Sequence, residues 1–440
     1  MFDAQTVAKV CGGTVKGDGN VQILAACKDS REIKEGDLYI AIIGENNDGN
    51  DYAGKAYENG AVCSLVSRDV DVPEGKAAVI VSDTRRALLS LAAYYRSTFD
   101  IKLVGVTGSV GKTTTKEMIH CALSSVWKTH KTNKNFNNDI GLPMTLLELN
   151  DTYKASVIEM GMSARGEISV LTNVAKPDVA VITNIGVSHI EHLKTQENIL
   201  AAKLEILEGL PENGTVILNA DDKFLSKQTS LPFKTVFYGL DNDCEVKGEV
   251  LSDNKVRVLG ETIELSVPGK HNLLNACAAM AVARALGIPA ADAARGISSF
   301  ETDEIRQRLV KSPKGFDIIC DWYNASPQSV SVALELLCKK EGRKIAVLAD
   351  MLELGDFSKK CHEDIGIEAA ERGVDMLFTY GKESKYMHEA AKEKGLDAKH
   401  FDSKDELSAS LLNTLQKGDT VLIKGSHSMK MQDIYDKIMG

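Results

Sequence analysis

Along residues 1–84 apolar side chains gather in four short runs, Val21–Ala26, Leu38–Ile43, Ala61–Val66 and Ala77–Val81, divided by clusters of Gly, Asp and Asn. Runs of that length between turn-forming residues predict strands. At Arg85–Ser97 the spacing becomes helical, and IKLVGVTG then enters a Gly-rich turn and a further helix, the order of strand, phosphate loop and helix. Ala155–Met160 and Asp178–Ile185 are apolar without alternation, as expected of strands covered on both faces of a parallel sheet. A polar break, KSPKG at Lys311–Gly315, precedes a region where FDIICD, KIAVLAD, VDMLFTY and TVLIKG alternate with amphipathic stretches suited to crossover helices. The pattern predicts an α/β protein of three domains. Residues 1–84 form an α/β domain, 85–310 a central P-loop domain on a mainly parallel sheet, and 311–440 a Rossmann-like domain.

The chain of 440 residues is too long for one core, and 43% hydrophobic content supplies enough apolar residues to fill several. With 52 basic and 62 acidic residues the net charge is -10, which argues against a nucleic-acid partner or an anionic membrane surface. The nine cysteines contain no C-x-x-C pair, so neither a zinc site nor a disulfide framework is expected. No basic and apolar leader opens the chain, and no run approaches the roughly 18 apolar residues of a membrane span. A cytoplasmic protein, neither exported nor anchored, is the expectation.

TGSVGKTTTK, Thr107–Lys116, carries the first chemistry. After a strand and before a helix, its backbone N–H groups can surround a polyphosphate. Thr107, Gly108, Ser109, Val110, Gly111, Lys112, Thr113 and Thr114 are the ATP-binding candidates, with Lys112 reaching the terminal phosphates and Thr113 a Mg²⁺ ion. Val106 stands where the generic motif has its first glycine. The bland alternative is a Gly-rich turn with a solvated lysine. Glu159 closes the apolar run ASVIEM, at the end of a parallel strand where such sheets hold ligands, and is well placed for Mg²⁺, a solvated strand-end acid being the ordinary alternative. In the helix predicted over Thr195–Gly209, Leu200, Lys203, Leu204 and Leu207 follow i, i+3, i+4, i+7, so a lysine occupies the apolar stripe. Snorkelling to solvent is the ordinary explanation, although a partly buried lysine also loses its proton readily. Asn272 and Asn275 fall on the entry turn of an Ala-rich helix, where asparagine also caps.

The TGSVGKTTT variant resembles the Mur ligase and folylpolyglutamate synthase group. The rest of the chain resembles the Mur ligases: NKNFNNDIGLP, VIEMGMSARGEI, TNIGVSHIEHL, AAKLEIL, GKHNLLNACAAMA, DWYNASP and DMLELG occur in that family's order over nearly the whole sequence. Asp29–Tyr52, YNASP and KGSHSMKM are most similar to the branch that adds D-alanyl-D-alanine to UDP-N-acetylmuramoyl tripeptide. The resemblance implies that the first domain binds the uridine nucleotide of the UDP-sugar, the central domain ATP, and the third closes over both. It further implies two Mg²⁺ ions, one on Thr113 and Glu159 and a second on His189, with Lys203 carbamylated by CO₂ to help place that second ion. His192 is left as an ordinary histidine. Asn272 would meet the adenine edge, Arg306 a phosphate, with Arg308 its neighbour rival, and Asp321 the ribose. Ser30, Arg31 and Asn138 would serve the UDP-substrate, and Asn324 and Ser326 the acceptor dipeptide. Two positions depart from the branch: His427 stands where Arg is common, and Asn50 where His is common.

The expected chemistry is activation of a carboxylate by ATP as an acyl phosphate, followed by attack of an amine, in peptidoglycan precursor synthesis by a monomer acting on small molecules only. Two alternatives compete with it. One is a related ligase with another acid or amine; the other is an ATP-binding switch that ligates nothing, against which Glu159, His189 and Lys203 argue.

Overall fold

The apolar runs become strands in the computed structural model, which describes residues 2–302 and 306–440, except that Val21–Ala26 splits at Leu24 into Gln22–Ile23 and Ala25–Cys27, which belong to different sheets. The strands collect in three main sheets that follow one another along the chain, with a small two-stranded pair at the start. The first holds Thr14–Gly17, Ala77–Ile80, Cys63–Val66, Asp37–Ile40 and Ala25–Cys27 in spatial order, parallel except at Thr14–Gly17. The helix Thr84–Ser97 is capped by Asp83, whose carboxylate accepts from the N–H groups of Arg85 and Arg86, and it buries Leu88 and Leu91.

The central sheet is nine-stranded. Lys102–Thr107 lies between Val179–Ile182 and Ala155–Glu159, all parallel, so the ends of these three strands open side by side. Leu103, Val104, Val106, Val157, Ile158, Val181 and Ile182 are buried, which accounts for runs without alternation. Beyond Lys234–Gly239 the sheet continues through Val246–Ser252, Lys255–Val258 and Glu261–Glu264, the last two added antiparallel. Their short, alternating patterns carry a weak signal, and the sequence reading passed over them.

The last sheet orders Arg308–Lys311, Asp317–Cys320, Thr420–Lys424, Lys344–Ala349, Met376–Tyr380 and Asp397–Phe401. Only the first pair is antiparallel. KSPKG forms the turn of the hairpin Arg308–Lys311/Asp317–Cys320. Ser312 N–H donates to Phe316 O at 2.8 Å and Gly315 N–H to Ser312 O at 3.0 Å, which closes that turn. The strand Arg308–Lys311, ahead of the expected start at residue 311, thus pairs within the last sheet. No helix among the described residues is long and apolar enough to cross a membrane.

Candidate active site

The strand Lys102–Thr107 leads through Gly108–Gly111 into the helix Lys112–Ser124. Gly108 (φ 152°) faces Thr183, and a Cβ there would fall 1.8 Å from Thr183 Oγ1. That hydroxyl is itself fixed by donating to Val110 O at 2.7 Å, so no side chain fits at Gly108. Asn184 brackets the loop, its Oδ1 accepting from Val110 N–H at 2.9 Å and its Nδ2 donating to Val110 O at 2.8 Å. Gly186 N–H donates to Ser109 Oγ at 2.9 Å. The loop is thus held open around a helix N-terminus, the arrangement that binds phosphate. Lys112 Nζ donates to Gly108 O at 2.9 Å. Burial lowers its pKa, Glu159 opposes that, and Arg306 adds to it.

Glu159 is 2% exposed. Its Oε2 accepts from Thr113 Oγ1 and its Oε1 from Asn137 Nδ2, each at 2.8 Å. A buried carboxylate beside a hydroxyl is a hard-oxygen donor set of the kind Mg²⁺ takes. Among the described residues no three His, Cys, Asp or Glu side chains gather into a metal cluster. Mg²⁺ is commonly held by one or two carboxylates together with substrate phosphates. His189 lies on the same cavity, in the left-handed region at φ 63°. Its Nδ1 is buried and makes no aligned hydrogen bond, although Glu353 Oε2 comes within 2.6 Å off the N–H direction. The imidazole holds the Glu353 carboxyl below its ordinary range.

Lys203 is 2% exposed, and among the described residues its ammonium has no hydrogen-bond or ion-pair partner. Burial first, and then the charge of Lys112, push its pKa well below the ordinary value. The residue does not line the cavity itself. Its helix, Gln196–Leu204, and the 3-10 turn Glu205–Gly209 that follows bury Ile199, Ala202, Lys203 and Ile206, while Leu200, Leu204 and Leu207 are only partly covered. The stripe thus differs from the expected one, but Lys203 belongs to both.

The opposite wall comes from the last sheet. A cavity of about 470 Å³ is lined on one side by Ser109, Val110, Gly111, Lys112, Thr113, Thr114 and Glu159 and on the other by Arg306, Asp321, Tyr323, Asn324, Ser326 and Lys424. Asp321 directly follows the strand Asp317–Cys320 and Lys424 ends its parallel neighbour, and Lys424 Nζ donates to Asp321 Oδ2 at 2.7 Å and to Asn324 O at 2.9 Å. The Arg306 guanidinium lies 3.7 Å from the centroid of the Tyr323 ring, whose other neighbour is the His427 ring at 5.9 Å. Arg308 instead opens the exposed edge strand, so geometry places Arg306, not Arg308, at the cavity. Ser326 accepts from Ser329 N–H and caps the helix Pro327–Cys338.

Asn272 and Asn275 line the cavity from the helix Lys270–Ala285. Neither caps it, because Gly269 is the capping residue. Asn272 Nδ2 donates to Pro268 O at 3.1 Å, and Asn275 Oδ1 accepts from Thr115 Oγ1 at 3.1 Å. Asn138 lines the cavity too, its Oδ1 accepting from Gly141 N–H at 2.8 Å. Thr107 and Gly108 lie behind the wall, and Ser30 and Arg31 belong to the first sheet's loops rather than to this cavity. Arg31 is exposed and forks onto Asp29, with Nε and Nη2 at 2.9 and 2.6 Å from its oxygens. Asn50 is buried, its Nδ2 on Ser67 Oγ at 3.0 Å and its Oδ1 on Ser67 N–H at 2.9 Å. The sequence reading missed Asn137, Asn184, Tyr323, Lys424 and Glu353. All five stand inside quoted motifs, but Glu353 has meaning only against a residue of another sheet.

Three family models match the chain: Mur ligase family, catalytic domain, over residues 26–96; Mur ligase middle domain over 106–283; and Mur ligase, glutamate ligase domain, over 305–427. The UDP-N-acetylmuramoyl-tripeptide–D-alanyl-D-alanine ligase of Bacillus subtilis is 39% identical, over 98% of this chain and 96% of that protein. The ligase of the same name from Escherichia coli is 33% identical over 97% and 95%. A crystal structure of MurF from Acinetobacter baumannii superposes with a TM-score of 0.91 at 31% identity, covering 100% of this chain and 98% of that one. MurF ligase from Thermotoga maritima, solved in complex with ADP, gives 0.82 at 28% identity over 95% and 97%. On these matches, and with the phosphate loop facing the last sheet across one cavity, the chain belongs to the Mur ligase family of ATP-dependent, ADP-forming ligases.

Proposed function

We propose that the protein joins D-alanyl-D-alanine to UDP-N-acetylmuramoyl tripeptide at the expense of ATP, a step of peptidoglycan precursor synthesis. The observation that carries this is the single cavity in which the phosphate loop with Thr113 and Glu159 faces Arg306, Asp321, Asn324 and Ser326 of the last sheet. A nucleotide-binding switch needs no such second wall, whereas a ligase must bring acceptor and phosphoryl donor together.

The loop N–H groups and Lys112 take the β- and γ-phosphates, with Arg306 on the phosphates from the far side. Asp321, fixed by Lys424, takes the ribose, and Asn272 the adenine edge. Thr113 and Glu159 would hold one Mg²⁺, and His189 with a carbamate on Lys203 the second. When bound, these ions neutralise charge on the transferring phosphoryl group. The buried Lys203 amine, neutral, forms an N–C bond to CO₂ and releases a proton, and the resulting anion relieves its repulsion with Lys112. A carboxylate oxygen of the tripeptide attacks the γ-phosphorus and ADP leaves. The dipeptide amine, placed by Asn324 and Ser326, then attacks the acyl carbon and phosphate leaves as the amine loses its proton. Ser30, Arg31 and Asn138 serve the UDP-substrate, Arg31 exchanging Asp29 for the diphosphate.

In this reading a uridine-nucleotide unit spans 1–84, an ATP unit runs from 85 to just before Arg308, and the closing unit follows, in a monomer of the cytoplasm. The test is ADP release with the UDP-tripeptide while the amine is varied. D-alanyl-D-alanine should stimulate release far more than alanine or L-alanyl-L-alanine. Stronger stimulation by another amine would leave the ligase class and overturn the substrate, which is where His427 in place of Arg bears.

A further inference from the structure

Glu353 reaches His189 from another sheet. It belongs to the loop that follows the strand Lys344–Ala349, and that loop is fixed at each step. Asp350 Oδ1 accepts from Ser384 N–H at 2.7 Å, Met351 N–H donates to His362 Nε2 at 3.0 Å, and Leu352 N–H donates to Ser426 Oγ at 2.9 Å. Glu353 itself adopts φ 63°, as does His189, so two residues in the left-handed region that favours glycine face each other across the seam. Such strain persists where the surroundings over-determine it, and it concentrates at functional sites. The contact is double: Glu191 N–H donates to Glu353 O at 3.3 Å, and Glu353 Oε2 lies 2.6 Å from His189 Nδ1.

We infer that Glu353 is a positioning residue for His189, supplied by the last unit, so that the histidine is aimed at its cation only when that unit is docked. A histidine that ligates a metal through one ring nitrogen commonly gives the other to a carboxylate, which fixes the ring's orientation and tautomer. Glu353 Oε2, 2.6 Å from Nδ1, is the carboxylate placed to take that N–H once the ring turns into line, which leaves Nε2 for the cation. The loop's three fixed N–H and carboxylate contacts carry the position of the last sheet into the orientation of that ring. Closure and assembly of the second cation site are then one event. Acyl phosphates hydrolyse, so a site completed only on closure delays phosphoryl transfer until water is excluded.

This rests on the reading of His189 as a ligand of the second Mg²⁺, and the experiment separates the two. Mn²⁺ is titrated, with electron paramagnetic resonance reading free metal, into full-length protein holding a non-hydrolysable ATP analogue in bicarbonate. The wild-type protein should bind two ions, and Glu353→Gln should weaken one of them at least about tenfold. His189→Ala should weaken the same ion, and Glu353→Gln should add nothing in that background, because it acts through the ring. Two sites unchanged in Glu353→Gln would overturn the inference alone. Additive losses would overturn it in favour of direct ligation by Glu353, and a single site in the wild-type protein would overturn the parent reading and this one with it.

Discussion

Among the described residues the Lys203 ammonium is buried without a counter-ion, in the field of the partly covered Lys112, and that is costly unless the group gives up its charge or acquires a new one. Replacing it with methionine, of similar length and no charge, should leave stability unchanged or raise it, since an unpaired buried polar group is removed. The same variant should bind ATP yet lose most ligation, and in Lys203→Ala a small carboxylate such as acetate should restore part of it. Urea unfolding and ADP release check both halves. A Met variant with normal turnover would return Lys203 to a packing role. Lys112→Ala is the contrasting case: nucleotide-dependent ADP release should vanish while the fold persists, because the lost ammonium faces phosphate rather than core. Periodicity made Lys203 legible in the sequence, although the buried set proved to be Ile199, Ala202 and Ile206 rather than the three leucines. One helix face is wide enough to accept either stripe, so spacing alone could not choose. Glu353 and Tyr323 were illegible for another reason, since each acts through a partner remote in the chain.

Strand ends and the loops that leave them do most of the work of positioning. Strand existence was legible wherever a run was continuous and apolar, as at Ala155–Glu159, and was lost where four-residue strands alternate, as at Lys255–Val258. What a loop does was legible only through motif. The loop carrying Glu353 depends on His362, a fully buried ring whose Nδ1 donates to Ser358 O at 2.8 Å while Nε2 accepts from Met351 N–H. A ring that accepts at one nitrogen must be neutral, and burial lowers its pKa below the ordinary value. The unfolded chain therefore takes up a proton at a pH where the folded ring does not. Stability contributed by this neutral ring is complete above about pH 6.5 and is lost as pH falls from there toward the lowered folded value. Urea midpoints measured across that window should drop more steeply for the wild-type protein than for His362→Gln, which keeps a donor and an acceptor but does not titrate there. Equal slopes would assign the pH dependence to other groups.

At the scale of the whole molecule, three sheets in chain order were legible, but their mutual docking was not, because docking depends on a few close approaches that leave no periodic trace. Gly355 is one of them. It has φ 51°, and a Cβ there would lie 3.0 to 3.2 Å from Cγ, Cβ and Cα of Glu191, on the helix that begins beside His189. Gly355→Ala therefore has two consequences, left-handed strain within the last unit and a push against the central one. Gly373 separates them. Its φ is 78°, and nothing lies within 4 Å of the position of its Cβ, so Gly373→Ala carries the strain without the push. Each variant should lose about 1 kcal/mol of stability from the backbone alone. Only Gly355→Ala should part the seam. Exchange of the Glu191 amide hydrogen, which is bonded to Glu353 O, should then quicken in that variant. Ligation should fall with it, because Arg306, Asp321 and Tyr323 close the cavity from the far side of the same seam. If both alanines slow ligation equally, the effect is strain in the last unit; if neither does, turnover does not depend on this contact between the sheets.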